Sequence, residues 1–389
     1  MSPYQREFLL QQHTPMLHFQ YNQPGATLRA TEVKPKLDKF LIAKLGGAEN
    51  IDEGWFIKAG KALNYKLRIV AQGIPRISNT ADTAIENRRT RQNNRPTVPI
   101  IGSYFANLVS GKGLSMEEYE DAVRANFTET VHYFAPIKVT VLCFIPELMA
   151  LIEAHIQDFF RTHNFGTRQN KGFGSFALKD DAGTDEEIAA ALRERYGARA
   201  CYIFSARNPL REIQKLYDQI KTGIPGVKDS SLLFHFLQQK GIRNEKEYLK
   251  NTPVSQWGEV TPEQAMYVRA LLGTGEIVTV QTKGTTRAFD VSVANADIDP
   301  VAGTPVIERF PSPIFFKVVG QKVFFVGRRI DPAIFGKQFA FSVDGNTAVL
   351  STPSLEQVGE SFIDDFLDYC YQTVGREKGL AVFGEEETQ

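Results

Sequence analysis

Cysteine is scarce in this chain of 389 residues: Cys143, Cys201 and Cys370 lie far apart and are odd in number. They cannot form a disulfide framework, and their small number favours a protein of the reducing cytoplasm. The chain also lacks CxxC and HExxH motifs, and its six histidines are scattered. We therefore expect no metal site built by the protein and no cofactor.

Net charge and long apolar runs are absent as well. Lys plus Arg and Asp plus Glu number 45 each, so affinity for a nucleic acid would have to come from local clusters of charge. No apolar run approaches the length that crosses a membrane. The opening MSPYQREFLL lacks the charged-then-apolar order of a secretory signal. We expect a soluble, cytoplasmic protein.

What the chain does contain is a mixture of strand and helix patterns. A strand pattern runs up to Thr14-Pro15. In the helix pattern that follows, Leu37, Phe40 and Leu41 fall on one face. Pro35 suits the first turn of that helix. Further strand and helix patterns follow through the first half of the chain.

The acidic, polar segment 181–198 is the predicted linker between two domains of similar size, 1–180 and 199–389. The order of strand and then helix recurs after it. A helical insert is predicted near 229–273, before a strand-rich end. Strands and helices mixed in this way predict an α+β fold, in which helices cover one face of antiparallel sheets.

The stretch FGTRQNKGFGSF contains a glycine-rich loop at residues 166–175. Gly172 and Gly174 let the backbone adopt left-handed or crowded conformations, and its N–H groups could then surround a phosphate oxygen. Arg168 and Lys171 would add positive charge beside that oxygen. The alternative is a tight helix-to-strand connection with solvated charges. A P-loop is disfavoured because no GK[ST] ends the motif, and a dinucleotide fold because the glycines open a strand.

A basic arm near residues 76–96 and the entry to the first helix hold two further clusters of positive charge. In ENRRTRQNNR, four arginines stand against one glutamate, and arginine can grip phosphate with two hydrogen bonds. Helix N-termini favour anions through their free N–H groups. The alternative for both clusters is solvated surface. Their members are Arg88, Arg89, Arg91 and Arg95 in the arm and Arg29, Lys34, Lys36 and Lys39 at the helix entry.

Four segments in a fixed order carry a resemblance to a known family. They are HTPMLHF, GATLRATEVKPKLDKFL, GTRQNKGFGSF and ERFPSPIFFKV. Together they resemble the RAMP superfamily of CRISPR effector proteins, and most of all the first-numbered RAMP subunit of the Cmr (type III-B) complex. The matching residues are Thr14-Pro15, Leu28-Arg29, Arg168 with Gly172-Phe173-Gly174-Ser175, and Ser312-Pro313-Ile314.

The resemblance implies two tandem ferredoxin-like (RRM-like) RAMP domains. It also implies a non-catalytic subunit that binds guide RNA, target RNA or both, alongside other RAMP subunits of a Cmr-type ribonucleoprotein in antiviral defence. A glycine-rich loop over a sheet, with basic residues beside it, can hold single-stranded RNA through its phosphates. Phe173 could stack on a base or belong to the core. The predicted RNA-binding residues are Arg29, Lys34, Lys36, Lys39, Arg88, Arg89, Arg91, Arg95, Arg168, Lys171, Gly172, Phe173 and Gly174.

Two alternatives remain open at this point. The first is a metal-independent endoribonuclease that processes guide RNA, with His13, His18 or His163 as general acid or base. The second is a protein-binding scaffold whose basic arm docks on an acidic subunit. Incubation of the purified protein with repeat RNA in the absence of metal identifies the endoribonuclease, because only that protein cleaves the RNA.

Overall fold

The computed structural model of the chain describes residues 2–17, 27–57, 62–79, 115–125, 129–223, 231–258, 265–280, 289–298, 305–307 and 309–384. His18 and the four arginines of the predicted arm lie outside these residues. The chain divides into two compact units. The first unit consists of Met1–Arg195, Ile203–Gln214 and Phe316–Phe325, and the second of Tyr196–Tyr202, Lys215–Phe315 and Val326–Gln389.

Strands and helices are interleaved along the described residues. The strands are β1 (Gln5–Gln12), β2 (Met16–Leu17), β3 (Phe56–Ile57), β4 (Ala62–Leu63), β5 (Lys66–Ala71), β6 (Arg76–Asn79), β7 (Glu129–His132), β8 (Ile137–Leu142), β9 (Phe176–Leu178), β10 (Ala200–Ser205), β11 (Arg243–Asn244), β12 (Ala265–Met266), β13 (Ile277–Val280), β14 (Phe289–Asn295), β15 (Ile314–Val319), β16 (Lys322–Gly327), β17 (Gln338–Val343), β18 (Asn346–Ser351) and β19 (Ala381–Gly384). The helices are α1 (Ala30–Lys44), α2 (Met116–Ala125), α3 (Pro146–Thr162), α4 (Asp185–Tyr196), α5 (Pro209–Lys221), α6 (Leu232–Gln239), α7 (Glu245–Asn251), α8 (Leu355–Val358) and α9 (Phe362–Lys378).

The first unit is built on a four-stranded sheet of order β5-β8-β1-β9. Its neighbouring strands are antiparallel, and the chain order of its main elements is β1-α1-β5-β8-α3-β9. The residues of β8 are alternately buried and half-buried. Ile137, Val139 and Val141 therefore point into the core, because successive side chains of a strand face opposite sides of a sheet.

Helix α1 packs on this core through the stripe that the sequence predicts. Leu37, Phe40 and Leu41 are buried and belong to the same apolar cluster as the sheet residues. Pro35 is a correction: the helix begins at Ala30, so Pro35 lies inside it rather than in its first turn. Proline has no N–H, so the helix lacks one backbone hydrogen bond there.

Helix α3 begins at Pro146, in the first-turn position that suits the fixed φ of proline. Leu148, Ile152 and Ile156 are fully buried on the side of the helix that faces the core. The helix ends at Thr162, immediately before the glycine-rich loop. The sheet and α3 therefore fix both ends of that loop, since β9 begins directly after it.

The second unit contains a four-stranded antiparallel sheet of order β13-β14-β17-β18. In α9, Phe362, Phe366, Cys370 and Val374 are buried along one face, as their helical spacing predicts. All three cysteines are buried, and none of them forms a disulfide bond. A further four-stranded sheet has the order β15-β16-β10-β19. The described residues therefore confirm a mixed fold of helices and several antiparallel sheets.

The segment predicted as a linker, 181–198, contains helix α4. Its N-terminus has the capping box that the sequence contains: the Glu187 N–H donates to Thr184 Oγ1 at 3.3 Å, and the Thr184 N–H donates to Glu187 Oε2 at 3.0 Å. Within 229–273 the structure places α6 and α7. None of the helices in the described ranges combines the length and apolar character that a membrane span requires.

Candidate functional site

The glycine-rich loop folds back on the chain through backbone hydrogen bonds. The Phe165 N–H donates to the Gly174 carbonyl at 2.9 Å, and the Gly174 N–H donates to the Pro15 carbonyl at 2.9 Å. The Thr167 N–H donates to the Leu17 carbonyl at 2.8 Å. The loop is therefore pinned to the segment that follows β1, and this segment contains the Thr-Pro motif.

Glycine is required at two positions of the loop by its close approach to other backbone. Gly174 has φ of 63°, and a Cβ there would lie 1.9 Å from the Phe165 carbonyl oxygen. Gly166 has φ of 82°, and its Cβ would lie 2.4 Å from the Leu17 carbonyl oxygen. L-residues rarely adopt such φ values, and the backbone atoms cannot move aside. The glycines are thus explained by packing.

Several N–H groups of the loop donate to oxygen atoms of this chain, so these groups are not free to surround a phosphate oxygen. The Gly172 N–H donates to the Gln169 carbonyl at 3.3 Å, and the Ser175 N–H to Thr14 Oγ1 at 2.9 Å. The Gly166 N–H donates to Glu32 Oε1 at 2.7 Å. A carboxylate of this chain therefore occupies the place that a phosphate oxygen was expected to take. Gly172 and Gly174 contribute to the shape of the loop through these bonds.

Phe173 is a second correction. Its side chain is 3% exposed, so it belongs to the core and cannot receive a base in this conformation. The sequence left two roles open for Phe173, stacking on a base or packing in the core. Its burial favours packing in the core. The outer part of the loop, residues 167–171, is half-buried and includes Arg168 and Lys171. Arg168 has φ of 55°, and the Nζ atom of Lys171 is itself buried.

Two hydroxyl groups, those of Thr14 and Ser175, connect the glycine-rich loop to the Thr-Pro segment and to strand β15. Thr14 Oγ1 donates to the Gly172 carbonyl at 2.6 Å. Ser175, which is fully buried, donates from Oγ to the Val318 carbonyl of β15 at 2.6 Å. The Thr-Pro segment, the loop and β15 therefore form one hydrogen-bonded network inside the first unit.

A buried lysine that sequence reasoning missed lies at the centre of this network. Lys317 is fully buried, and its Nζ donates to the carbonyls of His163 and Phe176 at 2.8 Å each. Burial lowers its pKa well below the ordinary value. Asn164 adds a side-chain bond to the Phe316 carbonyl at 2.8 Å. The sequence signal was a single charge inside the apolar run SPIFFKVVG.

The cations at the helix entry divide into internal and outward-facing groups. Lys36 Nζ donates to the Asn164 carbonyl at 3.1 Å and to Gln169 Oε1 at 3.0 Å. Burial lowers the pKa of Lys36, and Glu32, at 3.4 Å, opposes that shift. The helix entry and the loop therefore meet at Lys36, where the positive charge is used within the protein.

Lys34 is also held by internal partners. Its Nζ donates to Asp38 Oδ2 at 2.8 Å and to the Leu63 carbonyl at 2.9 Å. Arg29 is half-buried at the N-cap position of α1, and Lys39 is exposed. Of the predicted helix-entry residues, Lys39 is therefore the one that the structure leaves fully on the surface.

Of the two described histidines of the endoribonuclease alternative, His163 is buried and His13 is half-buried, and both have lowered pKa values. The Gly320 N–H donates to His13 Nδ1 at 3.1 Å, and burial, together with Lys317 and His132, lowers the pKa of His13 to about 4. His163 Nδ1–H donates to the Phe159 carbonyl at 2.9 Å, and burial lowers the pKa of His163 to about 3. Both pKa values lie well below pH 7, whereas general acid–base catalysis is most efficient when the pKa lies near the working pH. Within the described segments, no three or more His, Cys, Asp or Glu side chains are placed to hold a metal ion.

Two family models match this chain. The model of the Cmr1 N-terminal domain matches residues 4–224, and that of the Cmr1 C-terminal domain matches residues 228–380. No curated protein matches. Among solved structures, the crystal structure of Cmr1 from Pyrococcus furiosus in its apo form is 11% identical to this chain. The match covers 97% of this chain and 98% of that one, with a TM-score of 0.42.

Proposed function

The chain belongs to the Cmr1 family, and from this premise we propose that it is a non-catalytic, RNA-binding subunit of a type III-B (Cmr) CRISPR ribonucleoprotein effector. The observation that carries the proposal is the succession of the two Cmr1 domain models over residues 4–224 and 228–380. Its partners would be guide RNA, target RNA or both, and the other RAMP subunits of the complex. It would act in the cytoplasm, in antiviral defence.

The fold that we propose with this function is a tandem of two ferredoxin-like RAMP domains, divided near the predicted linker 181–198. In the first sheet, the strands β1, β5, β8 and β9 are separated by helices in the order β-α-β-β-α-β, which is the ferredoxin-like order. The sheet β15-β16-β10-β19 supports a second copy, because its strands and α5 and α9 follow the same order along the chain.

The structure supports two different roles for the residues predicted to bind RNA. Gly172, Phe173 and Gly174 are internal, so they would act by keeping the loop rigid. Lys34 and Lys36 are committed to internal oxygen atoms, as described above. The charges proposed to meet RNA directly are those of Arg29, Lys39 and Arg168, together with the arm's Arg88, Arg89, Arg91 and Arg95. Lys171, whose Nζ atom is buried, would act within the loop.

Arg168→Ala tests the loop's part in RNA binding. Arg168 already has a side chain at a positive φ, so alanine brings no new backbone strain. Loss of one phosphate contact should make the plot of log affinity against log salt shallower by about 0.7 for single-stranded RNA. The measurement is fluorescence anisotropy with a labelled RNA at several salt concentrations.

The control for this variant is Arg211→Ala, because Arg211 is an exposed arginine of the first unit that lies outside the loop. It should leave the salt slope unchanged. Equal slopes for Arg168→Ala and the wild-type protein would show that the loop makes no phosphate contact. The proposed function itself would be contradicted if the wild-type protein bound no RNA, both in isolation and as a subunit of the Cmr complex.

The non-catalytic part of the proposal has its own test. Labelled repeat RNA incubated with the protein in EDTA should remain intact, because burial lowers the pKa of His13 to about 4 and that of His163 to about 3, which makes both weak bases at pH 7. Cleavage that disappears in a His13→Ala or His163→Ala variant of unchanged melting temperature would establish the endoribonuclease alternative instead.

A further inference from the structure

We propose that the face of the first sheet opposite its helices binds the sugar-phosphate backbone of single-stranded RNA, an inference that rests on the proposed function and names the surface that performs it. The outer sheet face is defined here by six residues that β1, β5, β8 and the residue after β9 direct away from the helices. They are Leu9, Lys66, Arg68, Val70, Lys138 and Lys179.

The helices lie on the other side of this sheet. Arg6, next to an outward residue of β1, forms an ion pair with Glu153 of α3. Leu10 and Val139 are fully buried on that side. By contrast, Leu9 is 37% and Val70 38% exposed, so solvent reaches the outer sheet face at its centre and at one edge. Side chains alternate between the faces, which accounts for the difference between Leu9 and Leu10.

The strand register places the outer residues in rows. Lys138 lies opposite Leu9 on one side and opposite Val70 on the other. The Lys179 N–H donates to the Leu9 carbonyl at 2.8 Å, which puts Lys179 beside Leu9. One row across the four strands therefore reads Lys179, Leu9, Lys138, Val70. Neighbouring strands are about 4.8 Å apart, so two cations of this row lie within reach of one extended backbone.

A second feature of the outer sheet face is its uncompensated positive charge. Lys66, Arg68 and Lys179 are exposed, and none of them forms an ion pair with a described residue. Glu7 lies on the same face, but its Oε1 accepts hydrogen bonds from Lys138 Nζ at 3.1 Å and Gln5 Nε2 at 3.3 Å. Among the outward residues of the four strands, Glu7 is the one carboxylate and it is paired, so the free charge of these strands is positive, as a polyanion requires.

The composition of the two central strands indicates what the face would recognise. RRM domains read bases with aromatic side chains on their central strands. Here the outward residues of β1 are Gln5, Glu7, Leu9 and Gln11, and those of β8 are Lys138, Thr140 and Leu142, without an aromatic. The face would therefore hold phosphates and discriminate little between bases.

One aromatic side chain lies where the strand β8 ends. Phe144 is 69% exposed, and its ring centroid lies 5.3 Å from that of Tyr4. Leu142, two residues before Phe144, lies opposite Lys66, so the ring lies near one of the exposed cations. An exposed aromatic near exposed cations is the combination that binds single-stranded nucleic acid without sequence preference. A protein partner is the less suitable occupant, because lysine is depleted in the cores of protein interfaces. Phe144 would support a base at one end of the bound segment.

The test removes the positive charges that form no ion pair with a described residue and preserves the tendency of these segments to form strands. The variant Lys66→Thr, Arg68→Thr and Lys179→Thr replaces them by a residue that strands favour. The charge-matched control is Arg211→Ser, Lys250→Ser and Arg376→Ser, since these three are exposed and lie on helices or loops elsewhere. The probe is a fluorescein-labelled oligouridine of 20 nucleotides, with oligoadenosine of the same length for comparison.

We expect the sheet variant to bind oligouridine about tenfold or more weakly at 0.1 M salt, with a salt slope shallower by about 2, because three contacts are lost. The control should stay near wild type in slope, and oligoadenosine should bind the wild-type protein within about fivefold of oligouridine. Phe144→Ala should weaken binding about fivefold, and Phe144→Tyr should restore it.

Failure of the inference is distinguishable from failure of the proposed function. If the wild-type protein binds RNA and the sheet variant matches the control, the outer sheet face does not bind RNA although the protein does. If the sheet variant keeps RNA binding but no longer joins the Cmr complex, the face docks a protein subunit, which also overturns the inference. If the variant does not fold, RNA is photo-cross-linked to the wild-type protein instead. Cross-links in β1, β5 or β8 support the inference, and cross-links only elsewhere overturn it.

Discussion

Gly174 is the residue at which the glycine-rich loop tolerates least change. Its φ of 63° and the 1.9 Å approach of a Cβ to the Phe165 carbonyl oxygen leave no room for a methyl group. Gly174→Ala should therefore lower the free energy of unfolding by about 2 to 4 kcal/mol, from backbone strain and loss of the pinned loop.

Urea unfolding followed by circular dichroism measures this change. Gly345→Ala is the matched control, because Gly345 also has a positive φ but no atom within 4 Å of a Cβ. It should cost only the backbone strain of about 1 kcal/mol. Equal effects at both positions would show that the close approach at Gly174 contributes nothing.

His163 gives the stability of the protein a dependence on pH. Its pKa is about 3 in the folded protein, and about 6.5 when unfolded. Between these values the unfolded chain binds a proton that the folded chain does not, so stability falls as pH falls from 6.5 towards 3. The expected loss from pH 7 to pH 5 is about 2 kcal/mol for this residue.

The measurement is the free energy of unfolding in urea at both pH values. His163→Gln removes the titrating group, and the pH dependence of this variant should be smaller by that amount. His155→Gln serves as the control because His155 is only half-buried on α3. A pH dependence that is unchanged in His163→Gln would mean that folding does not lower the pKa of His163.

At the scale of elements, local sequence signals predict the ends of helices well. The Ser115/Glu118 capping box of α2 is present, with the Ser115 N–H donating to Glu118 Oε2 at 2.7 Å. Gly46, after α1, adopts φ of 80°, the conformation with which glycine ends a helix. Caps and stops depend on residues within one turn, so they can be read from the sequence alone.

Helix α4 offers a test at this scale, because it lies in the segment that composition predicts as a linker. Thr184→Ala removes the hydroxyl that accepts the Glu187 N–H and should lower the free energy of unfolding by about 1 kcal/mol. Thr184→Ser keeps that oxygen and should be close to wild type. Thermal melting measures both, and equal melting temperatures for all three proteins would show that α4 adds nothing to the stability of the fold.

At the scale of the whole molecule, the balance of 45 cationic and 45 anionic side chains gives no net charge at pH 7. Proteins without net charge repel one another weakly and associate more readily. We expect the isolated protein to be least soluble near pH 7, and bound RNA to raise its solubility by adding negative charge. Static light scattering between pH 5 and pH 9, with and without oligouridine, measures this. A minimum far from pH 7 would contradict it.

The same balance explains why nucleic-acid affinity must be local. The cations of the outer sheet face are spread over about a third of the chain, so no short segment contains them together. They are Lys66, Arg68, Lys138 and Lys179. The predicted clusters were those contiguous in sequence, at the arm and the helix entry. The sheet brings the dispersed cations onto one face, which sequence inspection did not identify.

The sequence by itself determined the α+β class, the faces of α1, α3 and α9, the caps and the family, because these signals depend on residues close together in the chain. Only the tertiary structure decided that several N–H groups of the loop donate to oxygen atoms of this chain, that Phe173 is core and that Lys317 is buried. The reason is that their partners are remote: Thr14 reaches the loop across 158 positions and Lys317 reaches His163 across 154. Hydrogen bonds across such separations are set by packing, which no local pattern contains.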